Sequence, residues 1–434
     1  MPEPGHPSPA PPSPTSGNEP ARPGKPLRVL LVSDYLPQDV DVAVHGAFQR
    51  LRRHIESLQQ LGEVDVAFLW PWHPGAWNDS AKANLAALRR LWNLTGRCEL
   101  IFSRFTCQLA QFRILVPAWL GRWFPALAGR RNASTMRRIA AIAAETSPDL
   151  IFAHRMGAIL PVLRAEAGKR TIVIDLDDVE HVRLRRQATR TNSALARLQL
   201  SLAAWFTQRL EAEALHKART ALVCSEADAR FLRPMGRPGR IALLPNAATA
   251  HERLPPAASP TALFVGMVRY WPNAEGLIWL VREVWPSVRR KLPQARLILA
   301  GLGSDELGLG DSGAGVDAVG FAPDLQPLYA KARIALCPLH IASGTRIKII
   351  EAAMFGRATI STSIGAEGLA FAPGREIALA DDAPAFAQAC IELLSDQERP
   401  ARMGMAACAT ARRLYSRAAV AKHLAAICAE ALGE

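Results

Sequence analysis

Short runs rich in Val, Ile and Leu, each followed by a stretch of helical periodicity, recur along almost the whole chain. In the first half they are RVLLVS (28–33), VDVAFLW (64–70), DLIFA (149–153), TIVID (171–175), TALVC (220–224) and IALLP (241–245). Helical candidates such as GAFQRLRRHIESLQQLG, STMRRIAAIAAETS and SALARLQLSLAAWFTQRLEAEALHKA lie between them. Uninterrupted apolar strands that alternate with helices must be buried on both faces, which requires a parallel sheet built from βαβ units. A Pro- and Ala-rich stretch, PNAATAHERLPPAASP (245–260), interrupts the pattern, which restarts with TALFVG (261–266), ARLILAG (295–301), ARIALCP (332–338) and RATIST (357–362). The reading is α/β: two Rossmann-like parallel-sheet domains facing across a cleft. The first spans 27–248 and the second 249–400, with a hinge near 250–260. A helical segment, 401–434, is expected to pack back toward the first domain. Open parallel sheets bind ligands beyond the carboxyl ends of their strands, so the cleft is the place to look for a site.

A length of 434 residues suits two such cores. Residues 1–26, rich in Pro, Ser and Gly, have too little apolar surface to fold and read as a disordered tail. They lack the apolar run of a signal peptide, and nowhere is an apolar stretch long enough to span a bilayer. The expected location is the cytoplasm. The seven Cys follow no CxxC or Cys/His spacing, which argues against zinc and against a disulfide framework. No GxGxxG follows the first strand, which weakens a dinucleotide-dependent reading, and the cluster GLGSDELGLGDSGAG (301–315) reads as a long loop. The net charge of +13 is uneven: residues 101–220 hold 19 Lys/Arg against 9 Asp/Glu. A solvated Arg-rich surface, an anionic membrane, an acidic acceptor and nucleic acid would each account for it.

The segment richest in chemistry is PLHIASGTRIKIIEAAMFGRATISTSIGAEGL (338–369). A buried strand enters a small-residue loop, which opens a helix ending at Gly356 as its C′ residue. Such a helix start offers free N–H groups and the positive end of the dipole. Arg346 and Lys348 stand in the first turn, where the dipole disfavours cations. A diphosphate suits both, Arg with forked hydrogen bonds and Lys as a point charge. Glu351 stands about one turn further on, where it can accept hydrogen bonds from ribose hydroxyls. The plainer reading is a solvated charged face. It is disfavoured because Ile347, Ile349, Ile350, Ala352, Ala353 and Met354 make the rest of the helix apolar, and charge on a buried helix is costly without a partner or ligand.

This segment resembles glycosyltransferase family 4, which transfers sugars from nucleotide sugars with retention of configuration and has the GT-B fold. Glu351-Ala352-Ala353-Met354-Phe355-Gly356 matches the second half of the family's E-x7-E motif, and Ser343-Gly344-Thr345-Arg346-x-Lys348-x-x-Glu351 its S-G-T-R-x-K-x-x-E variant. Ser343 stands where the family's first Glu would contact the donor sugar. In VGMVRYWPNAEGL, Met267 and Pro272 occupy the positions of the family's loop Arg and Lys. Neutralising the diphosphate would then fall to Arg346 and Lys348, helped by Arg269. The resemblance further implies that Gly266, Asn273, Gly344 and Thr345 bind the donor and that Phe321 sits beside the nucleobase. His154, at the end of DLIFAH, would face the cleft and take part in catalysis, although a structural His fits as well. Gly46, opening a helix after the first strand, would belong to the acceptor loop.

Asp175, Asp177 and Asp178 form an acidic cluster after a strand, read as acceptor-contacting or structural rather than as a metal site. No metal or cofactor is expected. FRILVPAWLGRWFPALAG (112–129) mixes Trp, Arg and apolar residues, as a core segment or as one lying on a membrane. The expected function is transfer from a UDP- or GDP-type nucleotide sugar to a glycan or lipid-linked acceptor in cell-surface or exopolysaccharide biosynthesis. The enzyme would be cytoplasmic, with an anionic membrane surface as a candidate partner and no nucleic acid. The alternatives are a nucleotide-sugar epimerase of the same fold and a non-enzymatic nucleic-acid-binding protein.

Overall fold

A computed structural model describes residues 26–36, 46–71, 76–103, 133–236, 240–341 and 344–433. The proline-rich tail before residue 26, the segment 112–129 and Ser343 lie outside the described residues.

The first domain is a seven-stranded sheet of β1 (Leu27–Ser33), β2 (Gly62–Pro71), β3 (Cys98–Ser103), β4 (Leu150–His154), β5 (Thr171–Asp175), β6 (Thr220–Val223) and β7 (Ile241–Leu243). The strands are all parallel, in the order β3-β2-β1-β4-β5-β6-β7. Because side chains alternate along a strand, each feeds two cores. Val29 and Leu31 join Val64, Val66, Phe68 and Phe152 on one face, against the helix Gly46–Gln59. Leu30 and Val32 join Ile151, Ala153, Ile172 and Ile174 on the other, against the helices Ala133–Thr146 and Met156–Glu166.

The second domain repeats the plan with six strands, β8 (Thr261–Val265), β9 (Arg296–Ala300), β10 (Val316–Gly320), β11 (Ile334–Cys337), β12 (Ala358–Ser361) and β13 (Ala378–Leu379), in the order β10-β9-β8-β11-β12-β13. Phe264, Leu297 and Leu299 pack on one face, and Leu263, Ile298 and Ala300 on the other. β3, β10 and the two-residue β13 are strands beyond those predicted above. Glu99 interrupts the first and Asp317 the second, and both pair their carboxylates with Arg at the sheet margin.

The chain crosses between domains twice, side by side. The linker leaves β7 and runs through Ala248, whose N–H donates to the Tyr415 carbonyl. The helix Glu398–Tyr415 packs Ala407, Ala411 and Tyr415 with Ile349, Ile350 and Met354 of the second domain. Ser416 then caps the helix Arg417–Leu432, its Oγ accepting from the Ala419 N–H at 3.3 Å. Val420, Leu424, Ile427, Cys428 and Ala431 of that last helix lie in the first domain's core. Their spacing is that of a single helical stripe, so the final helix belongs structurally to the first domain.

Candidate active site

The cleft is lined by the carboxyl ends of both sheets, and two helix starts meet in it. Gly46 is the first residue of the helix Gly46–Gln59, and Ile347 the first of the helix Ile347–Met354. A Cβ on Gly46 would lie 3.7 Å from Ile347 Cδ1, so the two N-termini, one from each domain, abut. Gly344 precedes the second helix with φ 68°, a left-handed conformation that favours glycine. A side chain there would also meet Asp178, since the added Cβ would be 2.3 Å from its Oδ1.

Lys348 lies on the first turn of the second-domain helix, behind its start. Its Nζ donates to Asn273 Oδ1 at 2.7 Å and sits 4.1 Å from the centre of the Phe264 ring. The Asn273 Nδ2 in turn donates to the Met267 carbonyl at 2.7 Å. Gly266 completes the group, because a Cβ there would come within 2.7 Å of Lys348 Nζ. A lysine has three donors, and this one shows a single hydrogen bond to a neutral amide, with no carboxylate partner among the described residues. Burial lowers its pKa to about 8. A cation held in an apolar setting without a counter-charge is suited to receive an anion.

Arg346 is differently employed. It is the N-cap residue of the helix, nearly buried, with Nε donating to the Gly365 carbonyl at 2.7 Å and Nη2 to the Glu367 carbonyl. Only Nη1 lacks a partner. Its guanidinium therefore staples the loop after β12 to the helix start, with one donor left over. Thr345 is buried beside it. Its carbonyl accepts from Asn246 Nδ2 at 3.1 Å and its hydroxyl from the Asn246 N–H at 3.4 Å. One turn along, Glu351 accepts a long, 3.4 Å bond from the Tyr329 hydroxyl, and burial raises its pKa to about 7. Arg269 is mostly exposed and faces Glu306 at 3.7 Å, on the rim rather than beside Lys348. Phe321 directly follows β10 and is half-buried.

The first domain departs from expectation at His154. The side chain is fully buried instead of facing the cleft. Its Nδ1 shares a hydrogen with Ser33 Oγ at 3.0 Å, and its Nε2 points to Asp175 at 3.8 Å. Burial holds its pKa well below the usual value, so the ring is neutral. The reason is register. His154 is the last residue of β4, paired with Ser33 and Asp175 in the neighbouring strands, and so still belongs to the sheet interior. The chain turns one residue later, at Arg155, whose φ of 67° is strained for a non-glycine residue.

The acidic trio after β5 divides in the same way. Asp175 is buried under Arg50, which forks onto both its oxygens at 2.6 and 2.7 Å, and His54 Nε2 lies 2.6 Å away. Burial alone would raise its pKa, but Arg50 and then His54 hold it well below the usual carboxylate range. His54, His154 and Asp175 are close enough for their ligand atoms to surround a cation. The Arg50 guanidinium already covers that carboxylate, however, and would repel one. Arg50 also donates to Asn246 Oδ1 at 3.1 Å. A continuous chain thus runs from Asp175 through Arg50 and Asn246 to Thr345 in the other domain.

Asp177 and Asp178 instead reach the cleft. Asp177 has φ 61°, a second strained residue at the strand ends. Burial raises the Asp178 pKa to about 8, helped by Asp177, Glu180 and Asp228 and opposed by Arg155. Asp34, beyond β1, accepts from the Gly157 N–H at 3.1 Å and faces Arg155 at 4.0 Å. Sequence reasoning did not single out Asp34, Arg155 or Asn246. The signal available was their position one to three residues beyond a strand end.

Comparison with known proteins agrees with this geometry. Residues 259–396 match the family model described as "Glycosyl transferases group 1", which is less than half of the chain. A stretch of 135 residues is 31% identical to an uncharacterized 44.6 kDa protein in the cps region of Klebsiella pneumoniae, covering 29% of this chain and 35% of that protein. Among solved structures, sucrose-phosphate synthase of Thermosynechococcus elongatus superposes with a TM-score of 0.67 over 94% of this chain and 99% of its own, at 17% identity. Anabaena HepE in complex with UDP and glucose gives 0.62 over 93% and 99%, at 14% identity. With the two parallel-sheet domains, these likenesses establish the GT-B fold.

Proposed function

We propose that the chain is a retaining glycosyltransferase. It would move a sugar from a UDP- or GDP-type nucleotide sugar to a glycan or lipid-linked acceptor. The observation that carries this reading is Lys348, a half-buried cation at the start of a helix in the second domain with no carboxylate partner among the described residues. The donor diphosphate takes the free N–H groups of that helix start and the Lys348 ammonium. Glu351, one turn along, accepts hydrogen bonds from the ribose. Gly344 and Thr345 shape the loop beneath the phosphates, Gly266 and Asn273 set the ammonium, and Phe321 lies toward the base. Positive charge fixed before the reaction stabilises the departing diphosphate as the bond to the sugar breaks.

The acceptor enters from the first domain, between Gly46 and the cleft carboxylates Asp34, Asp177 and Asp178. His154 lies under that floor, and its part is to position Ser33 and Asp175 rather than to touch a substrate. The match to a protein of a cps region supports a place in cell-surface or exopolysaccharide synthesis. Work on such acceptors places the enzyme on the cytoplasmic side, at the membrane surface, and needs no metal or cofactor.

Thermal-shift screening against UDP-, GDP-, ADP- and TDP-sugars tests the reading, because a ligand that binds only the native state raises its melting temperature by mass action. A hit identifies the donor. Indifference to all four classes contradicts the proposal.

A further inference from the structure

The helices Glu180–Thr189 and Ala194–Lys217 form a hairpin with a small core of its own, Leu184, Ala188, Leu200, Ala203 and Ala204. The outer face of the longer helix is not polar. Leu195, Leu198, Leu202 and Trp205 are 65, 58, 47 and 45% exposed. They follow one another at steps of three, four and three residues, a single stripe along one side of the helix. Arg209 continues the stripe, its guanidinium 4.0 Å from the centre of the Trp205 ring. Four large apolar side chains in one line are unusual on a water-facing helix, where singly scattered ones need no explanation.

The charge around the stripe is one-sided. From residue 181 to residue 210 the chain has six Arg and no Asp or Glu; Arg183, Arg186 and Arg190 pair with Glu180, Glu367 and Glu275, which leaves Arg185, Arg197 and Arg209. Arg197 donates to the Thr191 carbonyl, and neither Arg197 nor Arg209 has a carboxylate partner among the described residues. A second copy of the chain laid on this face would set arginines against arginines, with no acid to relieve them. Nucleic acid would use the arginines but leave the leucines in water. A bilayer with anionic headgroups satisfies both: leucines and Trp enter the boundary with the acyl chains, while Arg stems lie along it with their heads among phosphates.

We propose that this hairpin is the surface by which the protein docks on an anionic membrane. It rests on, and makes specific, the membrane-surface placement proposed above. The base of the hairpin frames the cleft, since Arg186 forks onto Glu367 of the second domain at 2.6 and 2.8 Å and Arg190 meets Glu275 at 3.2 Å. A docked hairpin therefore brings the cleft mouth to the level at which a lipid-linked acceptor presents its sugar.

The test is co-sedimentation of the full chain with vesicles of phosphatidylcholine alone and of phosphatidylcholine with phosphatidylglycerol. The wild type is expected to partition onto the anionic vesicles, less so as salt rises. Leu198→Glu/Leu202→Glu should lower that partitioning by at least about tenfold, and Arg197→Glu/Arg209→Glu similarly. These positions are exposed, so unchanged circular dichroism and melting serve as the folding control. The proposal is overturned by a wild type that ignores anionic vesicles, by either double variant partitioning as the wild type does, or by a self-association that Leu198→Glu/Leu202→Glu abolishes in sedimentation velocity. Binding to RNA that both leucine substitutions leave intact, without vesicle binding, would also overturn it. Nucleotide-sugar binding by the same variants is measured separately, so failure on vesicles leaves the reading of the cleft standing, and failure there leaves this one.

Discussion

Two neighbouring cations, Arg346 and Lys348, look equivalent in sequence and are not equivalent in the fold. Arg346 spends two of its nitrogens on the Gly365 and Glu367 carbonyls, whereas among the described residues Lys348 bonds Asn273 and lies on the Phe264 face. Lys348→Ala should therefore weaken nucleoside diphosphate binding by about 10- to 150-fold, the worth of a charged hydrogen bond at about 1.5–3 kcal/mol, with little loss of melting temperature. Arg346→Ala should lower both, because it also frees the loop after β12, and calorimetry beside melting curves separates the two. The Lys348 pKa of about 8 sets the pH dependence: the ammonium proposed to receive the phosphates is present below that value and lost above it. Donor affinity should fall as pH rises from 7 to 9 and stay flat over that range in Lys348→Arg. Gly344→Ala is expected to cost roughly 1–2 kcal/mol for the left-handed backbone, with further loss of donor binding from the clash with Asp178.

Among the elements, the helix starts explain more than any strand. Two of them abut in the cleft because the fold brings the helix Gly46–Gln59 of one domain against the helix Ile347–Met354 of the other. The network under them is stiff. Asp175 is buried beneath Arg50 and His54, so Asp175→Asn should cost about 3–5 kcal/mol, read as a large fall in melting temperature. The carboxyl is held well below its ordinary value, so its contribution is present above the unfolded pKa of about 3.9 and lost as pH falls through the folded one. Acid unfolding of the variant should lack that component.

This scale also shows what sequence can carry. Strands of continuous Val, Ile and Leu declared themselves, as did the loop at 301–315 and the turn at Gly356. β3 and β10 did not, because each places an acid at the sheet margin where an Arg can reach it. The apolar run before His154 points to a cleft residue. Strand ends are uncertain by a residue, and one residue decides between the interior and the cleft. Asn246 is marked only by its place beyond a strand end, because its partners Arg50 and Thr345 lie 196 and 99 residues away in sequence.

At the scale of the molecule, two domains are joined by two adjacent crossings, the linker at Ala248 and the turn at Ser416. The chain Asp175–Arg50–Asn246–Thr345 runs from the first sheet to the donor loop beside those crossings. That chain ties the loop at Thr345 to the first domain. Asn246→Ala should thus loosen the loop, raising KM for the donor more than it lowers the melting temperature. The central claim is that residues 344–351 hold the diphosphate of a nucleotide sugar, with Lys348 as its cation. Isothermal titration of the full chain with UDP and GDP, repeated on Lys348→Ala, addresses it directly. One site is expected for at least one of the two nucleotides, weakened by about 10- to 150-fold in the variant. Binding of neither nucleotide, or equal affinity in wild type and variant, would contradict it.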